Sequence, residues 1–271
     1  MQLGGQLRSS TFVLAERHLN AVFLLLQFFR QPQQAKFEVH VDRTHMPAPD
    51  GSPGYLEPGH SSVANLLGDF SRPPDAVELL TYKDLHYYEA ATAPAASASN
   101  SGSSINDIRH VEKPAEFAPS VGEVGGYPSE TFRRCALAHF WAVYSIWLRL
   151  RSLAELALEL TPGFFDEYFG AAMGTSLQIR NYPRIDSLNS AVDSGQMGFG
   201  AHNDSGFLTI VHTQTPGLQV DPTGQEDWIS VPVVAGGYVV NVGRLLARWT
   251  NDRCVCRSFC TATMRVARDV G

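Results

Sequence analysis

Apolar and polar positions divide this chain into a helical first part and a strand-rich second part. Residues 11–30 read as a helix, with an unbroken apolar-rich run from Leu19 to Phe29, and Pro32 ends it by forcing the preceding residue out of helical geometry. The strongest helical pattern runs from Ser129 to about Glu159. Phe132, Ala136, His139, Phe140, Val143, Ile146, Trp147, Leu150 and Leu153 recur there in steps of three and four. Ser129 is placed to cap one long helix or the first of two. The stripe is broad, so the expected partner is a sheet, and His139 inside it reads as a core residue. "TPGFFDEYF" predicts a further helix, with Thr161 as cap and Pro162 in the first position.

After Gly174 the pattern changes. "SLQIRNYP", "GFLTIVHTQ", "GLQVD", "WISVPV" and "GYVVNVG" are short runs rich in Ile, Val, Leu, Tyr and Thr, separated by Gly, Pro, Asp and Asn. Helices first and strands later predict an α+β chain whose C-terminal core is an antiparallel sandwich or barrel. Between the two parts, residues 44–60 are turn-rich and residues 73–89 are ambiguous. Residues 90–104 ("AATAPAASASNSGSS") are a low-complexity insertion unable to build a core.

Composition adds exclusions. The 271 residues carry a formal net charge of -6, with no Lys/Arg-rich run, which argues against a nucleic-acid partner. The Leu19–Phe29 run is too short to span a bilayer, so a membrane role is not expected either. An amphipathic organelle-targeting segment around Arg8 and Arg17 is the weaker alternative to a cytoplasmic protein. The four cysteines, Cys135, Cys254, Cys256 and Cys260, lack zinc-site spacing and read as unpaired thiols.

One short motif carries chemistry. In "GAHNDSGFLTIV", His202 and Asp204 stand two positions apart, after a Gly-rich turn and directly before a strand. With a second His from elsewhere, such a pair makes the facial triad of non-haem iron, which leaves three coordination positions open. A solvated loop His beside a turn Asp is the plainer reading of the same residues. His212 does not complete the set: five strand steps at ~3.3 Å carry it about 16 Å away.

Taken together, "LQIRNYP", "GFGAHNDSGFLTIVHTQTPGLQV" and "WISVPVVAGGYVVNVGRLLARWTN" closely resemble, in order and spacing, the catalytic domain of the isopenicillin N synthase-like iron(II)- and 2-oxoglutarate-dependent oxygenases. "FFRQPQQAKFEV", Gly54-Tyr55, "FRRCALAHFW" and "TPGFFDEYF" extend a looser likeness upstream. The resemblance implies a double-stranded β-helix (jelly roll) flanked by helices, with its C-terminal strands incomplete. It implies a mainly helical region over 1–172, the oxygenase domain over 173–253 and an aberrant tail over 254–271. It implies iron held by His202 and Asp204, and Tyr182 hydrogen-bonded to the 2-oxoglutarate carboxylate. The implied reaction is oxidation of a small molecule by molecular oxygen, giving hydroxylation, desaturation or ring closure.

The chain departs from the family in three places. The residues before "FFRQ" do not resemble the family's opening strand-helix-strand unit. Arg244 stands where the family has Asp after "NVG", an exchange expected to disturb the supporting strand. The family's distal His falls near position 259, which is Phe259, and no His follows His212. Arg265 and Arg268 lie near the place of the cosubstrate-binding Arg, without its Arg-x-Ser pattern. The tail "CVCRSFCTATMRVARDVG" shows no strand pattern. Read from the last base of the Phe259 codon, codons 259–262 permit Leu-His-Arg, the family's residues at this point, so a shifted reading frame is one explanation. The two functional readings are an oxygenase and a catalytically inactive relative serving as a binding or scaffold module. Neither substrate nor oligomeric state is legible.

Overall fold

The computed structural model describes residues 22–39, 54–83, 128–169, 174–183 and 196–261. Residues 22–26 are helical and continue into a 3-10 turn, Gln27–Arg30; Gln31 is extended (ψ 156°), as the following Pro32 demands. Then come α1 (Gln33–Phe37), β1 (Gly54–Leu56), α2 (Val63–Leu66), β2 (Glu78–Lys83), α3 (Glu130–Ala157) and β3 (Ser176–Asn181). The remaining elements are β4 (Phe199–His202), β5 (Leu208–Val211), β6 (Leu218–Asp221), β7 (Ile229–Ser230), β8 (Val239–Val242), α4 (Arg244–Trp249) and β9 (Ser258–Thr261). The low-complexity insertion lies outside the described residues. The chain divides into two compact units, residues 1–55 with 80–179 and residues 56–79 with 180–271. Strands β1, β2 and β3 form a sheet in the order β1-β2-β3.

In the first unit, α3 is a single helix of 28 residues, capped as the sequence predicts: the Ser129 hydroxyl accepts the Phe132 N–H at 3.1 Å. Its Phe132, Ala136, Leu137 and Phe140 pack with Tyr55, Leu80, Tyr82 and Ile179, so the expected strand partners are present. Phe28 sits at the centre of this cluster, fully buried, with its ring edge-to-face with Phe29, Tyr55 and Phe132. Burying one such ring contributes about 1.5–3 kcal/mol. His139 is partly buried on the helix.

The helix expected at "TPGFFDEYF" is only a 3-10 turn, Phe164–Asp166. Gly163 adopts the left-handed conformation (φ 82°), which starts a turn rather than a helix. The buried Glu155 carboxylate then accepts the N–H groups of Gly163 (3.0 Å) and Phe165 (2.9 Å) and holds the turn in place.

The second unit contains two antiparallel sheets, one in the order β4-β9-β6-β7 and one pairing β5 with β8. Residues 258–261, expected to lack a strand, form β9 between β4 and β6. The Ser-Phe-Cys-Thr segment is short and follows turns, so no alternation was visible, yet Leu218–Asp221 supplies a full row of partners. Nor does Arg244 disturb its supporting strand, because β8 pairs with β5 in unbroken register from Leu208↔Val242 to Val211↔Val239. None of the helices among the described residues is long and apolar enough to cross a membrane.

Candidate metal centre

His202 ends β4, and its geometry begins with Gly200. The Gly200 N–H donates to Asp75 Oδ1 at 2.9 Å, while Asp75 Oδ2 accepts the Val63 N–H at 2.9 Å. A Cβ at Gly200 would stand 2.9 Å from the Val63 Cβ, so only glycine lets the strand approach α2 this closely. The Gly200 carbonyl accepts from His202 Nδ1 at 2.9 Å. A carbonyl only accepts, so Nδ1 carries a proton and Nε2 is the nitrogen turned to Asp204, 3.5 Å from its Oδ1. A backbone carbonyl on one ring nitrogen is the usual way to orient a metal-binding imidazole.

Asp204 is held from β5 and β8. Asn241 donates to its Oδ2 at 3.1 Å, and Thr209 adds a second side-chain hydrogen bond. Thr209 and Asn241 are register partners, so one rung of the ladder delivers both donors. Burial alone raises the Asp204 pKa; hydrogen bonds from His202, Asn241 and Thr209 more than offset it and bring the carboxyl below its ordinary value. The backbone joins in. Arg244 N–H donates to the Asp204 carbonyl at 2.8 Å, and Gly243 and Leu245 N–H donate to Phe207 and Gly206. A Cβ at Gly243 would lie 1.9 Å from the Gly206 carbonyl oxygen, which excludes any side chain there.

Opposite His202 stands Phe259. The two are register partners across β4 and β9, and Phe199 pairs with Thr261. Three steps on β4 match two on β9, so β4 carries a bulge. The extra residue brings Phe199 and His202 onto one face, and their rings meet edge-to-face at 4.7 Å. Phe259 is buried on this face and offers no donor atom. Cys256 lies beside the loop, its Sγ 3.6 Å from Asn203 Nδ2 and 3.9 Å from the Asp204 carbonyl. Among the described residues no group of three His, Cys, Asp or Glu side chains is placed to hold a metal ion.

His202 and Asp204 therefore fit a divalent cation as a pair. Two donors each about 2.1 Å from one ion can be at most ~4.2 Å apart, and 3.5 Å is within that reach. The third donor of a facial triad does not come from position 259.

Tyr182 follows β3 and packs against Leu56, Val63, Val77, Leu79 and Phe199. Its hydroxyl accepts from Thr261 Oγ1 at 3.3 Å. Two residues earlier, the Arg180 guanidinium carbon sits 4.0 Å above the Phe199 ring. His212 is absent from this cluster: its Nδ1 bonds the Gly237 carbonyl at 3.0 Å and its ring faces Tyr238. Arg265 and Arg268 lie outside the described residues. Sequence reasoning missed Asn241, Thr209, Asp75 and Arg180. A polar residue inside the apolar run "YVVNV" was the one available signal, and it marked Asn241.

Residues 174–266 match the model of the 2OG-Fe(II) oxygenase superfamily, and over this segment the chain is similar to that family. The match runs past the end of the expected domain at 253. Among curated relatives, a 2-oxoglutarate-Fe(II) type oxidoreductase, hxnY, of Emericella nidulans is 32% identical over 46% of this chain and 35% of its own length. Gibberellin 3-beta-dioxygenase 2-3 of Triticum aestivum is 36% identical over 42% of this chain and 34% of its own. The chain thus spans about a third of the length of these relatives. Among solved structures, JOX2 in complex with 2OG, Fe and JA superposes with a TM-score of 0.64 at 18% identity, covering 92% of this chain and 60% of that one. The dioxygenase for auxin oxidation in rice gives 0.55 at 20%, covering 93% and 65%.

Proposed function

We propose that this chain acts as an iron(II)- and 2-oxoglutarate-dependent oxygenase on a small molecule. The observation that carries the reading is the convergence of His202 Nε2 and Asp204 Oδ1 at 3.5 Å inside a segment that matches that family's model. His202 and Asp204 would hold the iron, and Tyr182 would hydrogen-bond the 2-oxoglutarate carboxylate. When bound, iron, 2-oxoglutarate and oxygen supply the oxidising chemistry.

The protein's own residues do the positioning. The Gly200 carbonyl fixes the ring of His202, and Asn241 and Thr209 fix Asp204 as an ionised donor. The fold reading is a jelly roll. It is supported by the repeated crossing of the chain between the β4-β9-β6-β7 sheet and the β5-β8 sheet, at β4–β5, β5–β6, β7–β8 and β8–β9, as in a two-sheet antiparallel fold. Four free cysteines among the described residues support a cytoplasmic location. The test is conversion of 2-oxoglutarate to succinate and CO2 by the purified chain with Fe(II). Conversion that is lost in His202→Ala supports the reading, and none in the folded wild-type protein overturns it.

A further inference from the structure

We propose that Arg257 binds a carboxylate carried by the small-molecule substrate, at the end of the site away from Tyr182. The inference rests on the oxygenase reading and adds a chemical class for its substrate, an organic acid.

Strand pairing places Arg257. His202 and Phe259 are register partners, so their side chains share a face of the β4 and β9 pair. The neighbours of these residues show the alternation. The Ser258 hydroxyl donates to Asn203 Oδ1 at 3.4 Å, and Cys256 Sγ lies 3.6 Å from Asn203 Nδ2. Residues 256 and 258 therefore turn to the side of Asn203, and Arg257 and Phe259 turn to the side of His202. Two further steps of the register set Arg257 across from Asp204. The two segments are still adjacent there, with Cys256 Sγ 3.9 Å from the Asp204 carbonyl oxygen.

The row that begins with Arg257 and Phe259 continues to Thr261, whose hydroxyl donates to Tyr182. Four residues at ~3.3 Å each separate Arg257 from Thr261 by about 13 Å. His202 faces the middle of this row. Tyr182, assigned above to 2-oxoglutarate, and Arg257 thus stand at opposite ends of one face, with the proposed metal ligand between them.

The chemistry of Arg257 suits an anion. It is half-buried, and its guanidinium makes no hydrogen bond, ion pair or ring contact among the described residues. The Asp204 carboxyl is engaged by His202, Asn241 and Thr209 instead. A half-buried cation without a counter-charge is disfavoured, and a ligand carboxylate supplies that charge. The guanidinium fork matches two carboxylate oxygens, and one guanidinium balances one carboxylate.

The experiment measures binding of benzoate, and of benzamide as its uncharged counterpart of similar shape, to the full chain by ligand-observed NMR. It is run in EDTA, so that no metal takes the carboxylate, and again with Zn(II) and excess 2-oxoglutarate. Wild type is compared with Arg257→Gln, Arg257→Lys and Arg253→Gln, each checked for an unchanged melting temperature. Arg253 is exposed in the preceding turn, so its variant removes the same charge at another place. Wild type and Arg253→Gln are expected to prefer benzoate over benzamide about 10-fold. Arg257→Lys is expected to keep part of that preference and Arg257→Gln none. No preference in folded wild type overturns the proposal, as does a preference that survives Arg257→Gln or is lost equally in Arg253→Gln. Displacement of benzoate by 2-oxoglutarate also overturns it, because the site then belongs to the cosubstrate. An Arg257-dependent preference without any Fe(II)-dependent succinate production leaves the carboxylate site standing and removes the oxygenase reading. Succinate production with an Arg257-independent preference does the reverse.

Discussion

His202 and Phe259 face each other as register partners across β4 and β9. A side chain at 259 shares a face with the imidazole, so a donor introduced there would stand on the side of His202. Phe259→His is expected to tighten Zn(II) or Co(II) binding by at least ~10–100-fold, since even losses of outlying hydrogen bonds to metal ligands cost that much. Metal titration with a competing chelator checks it, and Co(II) spectra report the added nitrogen. Phe259→Leu, which adds no donor, is expected to leave affinity unchanged.

Asn241 is buried and orients Asp204 through a single 3.1 Å hydrogen bond. Asn241→Ala is expected to weaken metal binding about 10–100-fold. Isothermal titration with Zn(II) measures this, and Asn241→Asp is expected to be worse than Ala, because it sets a second carboxylate against the first.

Asp75 joins α2 to β4 by accepting two backbone N–H groups, one from each. Asp75→Ala leaves the buried Val63 N–H and the part-buried Gly200 N–H without their acceptor and is expected to cost about 3 kcal/mol of unfolding free energy. Urea unfolding monitored by circular dichroism checks the value. Asp75→Asn retains one acceptor and is expected to lose less.

Cys260 is buried on β9 near Gln219, and burial pushes its thiol up to about 11 from an ordinary 9.0. A thiol whose pKa is higher folded than unfolded adds stability that is intact below the unfolded value and is lost as pH rises toward the folded one. Stability is therefore expected to fall between about pH 9 and pH 11, and Cys260→Ala is expected to flatten that fall. Melting temperatures across this range give the answer. At pH 8 a thiol reagent is expected to label the partly exposed Cys256 well before Cys260.

The sequence made the long helix, its Ser129 cap, the helix stop before Pro32 and the strand-rich second part legible, because periodicity and capping are local signals. The His202 and Asp204 pair was visible for the same reason. Its support was not: Asp75 and Gly200 are far apart in the chain, and Thr209 meets Asn241 only through strand register. The Gly163 turn defeated the helix reading because one left-handed residue outweighs a good cap and a proline. Strand β9 was missed because four residues without alternation become a strand only when β4 and β6 flank them.

We propose that His202 and Asp204 supply two of the three protein positions of an iron centre, with Phe259 at the third. Succinate production from 2-oxoglutarate, measured with Fe(II) for wild type, His202→Ala and Phe259→His under identical conditions, tests it most directly. The account predicts slow, iron-dependent turnover by wild type, none by His202→Ala, and faster turnover by Phe259→His. Turnover that survives His202→Ala, or that Phe259→His fails to raise while remaining folded, would contradict it.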